Sequence, residues 1–116
     1  MTTPEGRVKA KVNKALEALH CYKFMPVQRG LGAHALDYYC CFDGMFIAIE
    51  TKVPKKRLTP RQAALASIIA KHGGLVFVIR EDGDIEDMIE HIKLGHRASV
   101  FDTLGSNDMY GDYWCK

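Results

Sequence analysis

The 116-residue sequence has no apolar run approaching the roughly 20 residues that a membrane-spanning helix needs. Its first residues, Met1-Thr2-Thr3-Pro4-Glu5, lack the apolar core of a signal peptide. Four cysteines (Cys21, Cys40, Cys41 and Cys115) show no C-x-x-C spacing, which argues against a zinc site built from them with His20 or His34. There is no Walker loop, no G-x-S-x-G and no Cys/His nucleophile arrangement, so those nucleotide-binding and hydrolase chemistries are set aside. Internal repeats, low-complexity stretches and linkers are also missing. What is present is a 47% hydrophobic composition with 26% charged residues, too apolar for a disordered chain. The expectation is one soluble domain with free thiols, in the cytoplasm.

Acidic residues are scarce where basic ones gather. Residues 1–80 carry 13 Lys and Arg against 5 Asp and Glu, a net of +8, and residues 81–116 carry 3 against 9, a net of −6. Between Thr51 and Arg80 there are seven basic residues and no acid. Such a body suits a polyanionic partner; an ordinary solvated surface is the other reading of charge alone.

The spacing predicts the elements. Thr3-Pro4 opens a helix as cap and first residue, with Val8, Val12, Ala15, Leu16 and Leu19 forming its apolar stripe. Arg7, Lys9, Lys11 and Lys14 fall largely away from that stripe, and Glu5 lies at its margin. Residues 22–34 are irregular, with room for a short strand. Ala35 to Cys41 and Met45 to Lys52 read as two strands joined by the turn Asp43-Gly44. Cys40 and Cys41 then point to opposite faces. A basic loop, Val53 to Leu58, precedes a second helix capped by Thr59-Pro60, with Gln62 completing a capping-box pattern and Gly73-Gly74 ending the helix. Leu75 to Ile79 reads as a buried strand, and Asp84 as the cap of a third helix closed by Gly95. Residues 99–116 have aromatics without periodicity. The predicted fold is α/β, a mixed β-sheet flanked by helices in the order α-β-β-β-α-β-α. Residues 1–98 form the domain and 99–116 a tail or arm, a candidate part of a dimer interface.

The chemistry concentrates between Asp37 and Lys52. If Asp43-Gly44 forms the loop, Phe42 pairs with Met45, and counting back places Asp37 opposite Glu50. Directly opposed residues have β-carbons roughly 4.5–5.5 Å apart, close enough for two carboxylates to repel unless a cation lies between them. Lys52 shares a face with Glu50, whereas Thr51 points away. Two hard oxygen ligands and a neighbouring amine make a site for Mg²⁺. A metal-bound water is a better nucleophile at phosphorus, and the ammonium can orient it or offset developing charge. The plainer reading is a surface ion pair, Glu50 with Lys52, beside a strand-end carboxylate.

The run Gly32…Asp37…Gly44-x-Phe46-x-Ala48-Ile49-Glu50-x-Lys52, then Thr59-x-x-Gln62, then Gly74-x-Val76-x-Val78, resembles the VRR-NUC branch of the PD-(D/E)XK nucleases over roughly residues 5–94. It looks like the compact stand-alone form of phages and bacteria. The resemblance implies a restriction-endonuclease-like core and a Mg²⁺ or Mn²⁺ ion on Asp37, Glu50 and the carbonyl of Thr51. It implies Lys52 assisting the nucleophile, Gln62 beside the site, and Glu5 as the completing acid. It also implies a homodimer that prefers branched DNA such as four-way (Holliday) junctions, within a bacterial or phage-infected cell. The Pro that the family places before the Asp is replaced by Leu36.

Outside that core, Lys55, Lys56, Arg57 and Arg61 follow the site directly and are candidate phosphate contacts, as are Arg7, Lys11 and Lys14 on the first helix. Gln62 also has a purely structural role open to it as the capping-box residue, and Glu5 as a first-turn acid favoured by the helix dipole. Tyr38, Tyr39 and Phe42 read as sheet packing, and His34 as structural. The leading expectation is a divalent-metal-dependent DNA endonuclease. The alternatives are a catalytically inactive nucleic-acid-binding module and an interaction domain that uses the acidic 81–116 region.

Overall fold

Thr3 and Thr59 each precede a proline, and each starts a helix as that pairing predicts. A computed structural model of the chain describes residues 3–27, 34–95 and 99–104. Helix α1 (Pro4–Leu19) is capped by the Thr3 hydroxyl, which accepts from the Gly6 N–H at 3.0 Å. Helix α2 (Pro60–Lys71) has a complete capping box, in which Thr59 and Gln62 each satisfy the other's backbone N–H. Helix α3 (Asp82–Leu94) departs from expectation at its start. Its N-cap is Glu81, and Asp84 stands at the third helical position, where its carboxylate accepts from the Arg80 and Glu81 N–H groups. Gly95, in the left-handed conformation at φ 75°, ends it as expected.

The strands are β1 (Tyr22–Phe24), β2 (Tyr38–Phe42), β3 (Met45–Thr51), β4 (Leu75–Ile79) and β5 (Ser99–Phe101), and they lie side by side in that order. The β1–β2 and β2–β3 pairs are antiparallel, and the β3–β4 and β4–β5 pairs are parallel. Asp43 (φ 53°) and Gly44 (φ 79°) both take the positive φ that a two-residue type I′ turn requires. Phe42 pairs with Met45 and Tyr38 with Ile49, so the register counted from the turn is the one observed.

β5 is a finding that sequence periodicity did not provide. Three residues are too few to show alternation, and the strand exists because β4 offers it an edge. The expected boundary at residue 98 therefore falls just before a strand that completes the sheet. Residues 105–116, the rest of the expected arm, lie outside the described residues.

The sheet separates two apolar layers. Val8, Val12 and Leu16 of α1 and Met88 and Ile92 of α3 pack with Tyr38, Cys40, Ile47, Ile49, Phe77 and Ile79 on one side. Ala63 and Ala66 of α2 pack with Leu36, Ala48, Leu58, Val76 and Val78 on the other. β3 thus alternates strictly: Ile47 and Ile49 face α1 and α3, and Ala48 faces α2. Cys40 is buried and Cys41 exposed, as their adjacency requires. Burial, with Cys21 alongside, pushes the Cys40 thiol up to about 12, so it packs as a small apolar group. Among the described residues no helix is long and apolar enough to cross a membrane.

Candidate active site

Alternation along β3 carries Glu50 to the α2 side of the sheet, yet buries it to 4% exposure at the strand's end. A carboxylate there has lost most of its water, and each oxygen receives one donor in return. The Asp37 N–H donates to Glu50 Oε1 at 3.1 Å, and Gln62 Nε2 donates to Glu50 Oε2 at 3.0 Å. Gln62 does two things at once. Its Oε1 accepts from the Thr59 N–H at 3.0 Å and completes the helix cap, which leaves the amide nitrogen aimed at Glu50. The capping role is therefore realised, and the same side chain reaches Glu50.

Asp37 stands where the ladder ends. The backbone bends there, and Leu36 joins the α2-side core although strict alternation would send it with Tyr38 toward α1. The bend lets the Asp37 carboxylate reach the next residue of β3. Its Oδ2 accepts from the Thr51 N–H at 2.9 Å and the Thr51 hydroxyl at 2.7 Å. This corrects the expectation that Thr51 simply points away: its side chain is fully buried and helps aim Asp37. The periodicity argument failed because it began the strand at Ala35, three residues before its true start at Tyr38.

Two carboxyl groups so placed destabilise each other. Burial first, then the negative charge of Asp37, pushes Glu50 up to about 8, with Glu5 adding to the rise and Lys52 opposing it. A buried acid held against another acid binds a proton or a metal ion more readily than an isolated one. The donor set fits a hard cation: two carboxylates, oxygen only, of the kind Mg²⁺ takes while keeping several waters. Among the described residues, however, no three of His, Cys, Asp and Glu converge on one point. Glu5 is exposed, and its charge still raises Glu50, while Asp37 and Glu50 form the hydrogen-bonded acidic pair.

The basic candidates divide. Lys55, Lys56, Arg57 and Arg61 are exposed on the loop after Lys52 and on the first turn of α2. Lys55 takes a positive φ of 71° in that loop. Arg57 donates to the Leu104 carbonyl at 2.6 Å. His34 borders the same region, lining a depression with Thr59, Arg61 and Gln62. On α1, Arg7, Lys11 and Lys14 lie outside the buried stripe, but Lys11 pairs with Asp82 of α3 at 2.9 Å and is partly neutralised. The residue of α1 that faces the site is Lys9, with its Nζ 3.8 Å from Asp37 Oδ1. Tyr38 helps set that approach: its hydroxyl donates to the Lys9 carbonyl at 3.2 Å. Lys9 sits beside Val8 at the edge of the buried stripe, and only the docking angle of α1 turns it toward the sheet.

No family model matches the sequence, and no curated protein does. A solved structure described as a VRR_NUC domain superposes on this chain with a TM-score of 0.68 and 26% identity, over 78% of this chain and 98% of that one. The mixed five-stranded sheet with flanking helices fits the restriction-endonuclease-like core that the sequence resemblance implied.

Proposed function

We propose that this chain, a domain of VRR-NUC type and nuclease fold, is a divalent-metal-dependent endonuclease acting on DNA. The observation that carries the reading is the pair Asp37 and Glu50, a partly buried acid whose backbone N–H donates to the carboxylate of a buried one at one sheet end, with Lys52 beside them and the basic loop directly after. Asp37, Glu50 and the Thr51 carbonyl would hold Mg²⁺ or Mn²⁺, with Glu5 as the further acid on their side of α1. The ion supplies an activated water and offsets charge developing on the phosphate.

The chain's own groups do the rest. Thr51 holds one oxygen of Asp37 and Gln62 one oxygen of Glu50, which fixes where the remaining lone pairs point. Lys52 orients the attacking water or steadies the negative charge of the transition state. Lys9 lies on the Asp37 side of the same pair, close enough to contribute a second positive charge. Lys55, Lys56, Arg57 and Arg61 hold the phosphodiester backbone, with Arg7 and Lys14 extending the track along α1.

Among the described residues there is one such pair, whereas resolving a four-way junction needs two symmetric cuts. A two-fold homodimer supplies them, which makes branched DNA the substrate this reading favours. The test is a cleavage panel of four-way junction, flap, fork and linear duplex, with and without Mg²⁺, beside a mass measurement of the oligomer. Metal-dependent cutting of branched DNA by a dimer is expected, with Lys52→Ala losing cleavage but keeping binding. Equal cleavage by Lys52→Ala and parent would reject the mechanism. Binding without cutting on every substrate would leave the inactive-module reading in its place.

A further inference from the structure

Arg80 is 4% exposed and follows the last residue of β4, and nothing in the mechanism above uses it. Its side chain joins two segments far apart in sequence. Nη1 pairs with Asp102 Oδ1 just after β5, with the two side chains 3% and 1% exposed. Nε donates to the carbonyl of Lys56 at 2.8 Å, in the middle of the basic loop. Two more bonds tie the same loop to the same sheet end: the Lys52 N–H donates to the Ile79 carbonyl at 3.0 Å, and Arg57 reaches the Leu104 carbonyl. The third guanidinium nitrogen, Nη2, is buried and has no hydrogen-bond partner among the described residues. A buried charge with an unsatisfied donor is a costly thing to keep for packing alone, because an apolar pair of similar volume would fill the space as well or better.

We infer that Arg80 and Asp102 are positioning residues, a clamp by which β5 sets the shape of the loop carrying Lys55, Lys56 and Arg57 and so determines how tightly that loop holds a DNA backbone. The inference rests on the nuclease reading only for the identity of the polyanion. The planar fork of arginine suits this double attachment, since one edge takes the carboxylate while Nε takes the carbonyl, which a lysine ammonium cannot reproduce. Phosphate contacts from this loop then depend on a segment that lies beyond α3.

Two variants test it. Arg80→Lys keeps the charge opposite Asp102 but loses the bond to the Lys56 carbonyl. The double variant Arg80→Met with Asp102→Leu removes both charges of the pair together, so neither is left buried opposite a truncated partner. Each is assayed for affinity to a labelled duplex and a labelled four-way junction in Ca²⁺ buffer, and for KM and kcat with Mg²⁺. The expected result is an affinity loss of about tenfold and a matching rise in KM, with kcat changed less than about threefold. Lys56→Ala combined with Arg57→Ala, costly in the parent, is expected to cost little more in either clamp variant. Amide exchange across residues 53–58 is expected to quicken by about tenfold or more in both.

Parent-like affinity and parent-like exchange in both variants would overturn the clamp. So would a loss confined to kcat, which would place the effect at Glu50. If the parent binds neither DNA, the nuclease reading fails by itself. The clamp is then decided by amide exchange, where unchanged protection refutes it and faster opening sustains it.

Discussion

Two charge pairs, one buried and one partly buried, lie toward the same end of the sheet, and they are built on opposite principles. Arg80 and Asp102 have opposite charges, contact each other directly and are almost wholly shielded from water. Asp37 and Glu50 have the same charge and are held together by neutral donors from Asp37, Thr51 and Gln62. Among the described residues, the cation paired with Asp37 is Lys9 at 3.8 Å, too far for a good hydrogen bond. The first pair is balanced in charge. The second is over-supplied with negative charge and gains from a positive guest. The difference sets a pair whose charges are matched within the fold against one whose charge the proposed metal ion would balance.

The comparison breaks most visibly at Glu50. Glu50→Gln keeps the shape and one of the two acceptors, but removes the charge that the proposed metal ion would need. Single-turnover cleavage of junction DNA is expected to fall by roughly 10³–10⁴-fold, equivalent to about 4–5.5 kcal/mol of barrier. Above about pH 8, where Glu50 is ionised, the metal-free protein is expected to become more stable at the same time, since relief of the repulsion with Asp37 outweighs the one hydrogen bond that an amide nitrogen cannot accept. Asp102→Ala is expected to do the reverse to stability. It leaves the Arg80 guanidinium buried and unpaired, which costs about 3–5 kcal/mol in denaturant unfolding. Stability changes of the same sign in the two variants would show that the pairs are not opposites.

A pH titration sharpens the contrast without a mutation. Glu50 in the fold titrates at about 8, above its ordinary value of 4.5. Between those values the folded state holds a proton that the unfolded chain has lost. Stability of the metal-free protein therefore falls as pH rises from about 4.5 to 8 and levels off above that, a loss of roughly 2–3 kcal/mol after relaxation is allowed for. Adding Mg²⁺ at about pH 8 is expected to restore it, because the ion replaces the proton. Melting curves at several pH values with EDTA or Mg²⁺ give both slopes. Glu50→Gln should flatten the metal-free slope, while Arg80→Met with Asp102→Leu should leave it intact.

Much of this was legible in the sequence, and the limits have physical causes. The turn at Asp43-Gly44 fixes the register, so the proximity of Asp37 and Glu50 follows by counting. Thr59, Pro60 and Gln62 announce the start of α2 by local chemistry alone. What counting along strands could not supply is where a strand stops. The bend at Asp37 brings in the Thr51 hydroxyl, and it depends on Leu36 finding the α2-side core. Lys9 was hidden for a related reason, since its approach to Asp37 depends on how α1 docks. Arg80 and Asp102 were hidden because 22 residues separate them in the chain, and β5 is too short to carry a pattern.

The smallest effect asks whether the cap and the site can be separated in Gln62. Thr59→Ala removes the hydroxyl that accepts from the Gln62 N–H at 3.2 Å, at a cost of about 1 kcal/mol in thermal or denaturant unfolding. The Thr59 backbone N–H remains, so the bond that orients the Gln62 side chain toward Glu50 survives. Cleavage is then expected to stay within about twofold of the parent. Gln62→Ala loses the reciprocal cap bond and the donor to Glu50 Oε2 together. Its stability loss should be comparable, also about 1 kcal/mol, while its cleavage rate falls about tenfold, close to the worth of one lost charge-assisted hydrogen bond. Equal cleavage by the two variants would mean that Gln62 serves the helix and the carboxylate needs no help from it. A gap between them at matched stability assigns the amide nitrogen to the site, and places on one side chain the join between a local helix signal and the chemistry it positions.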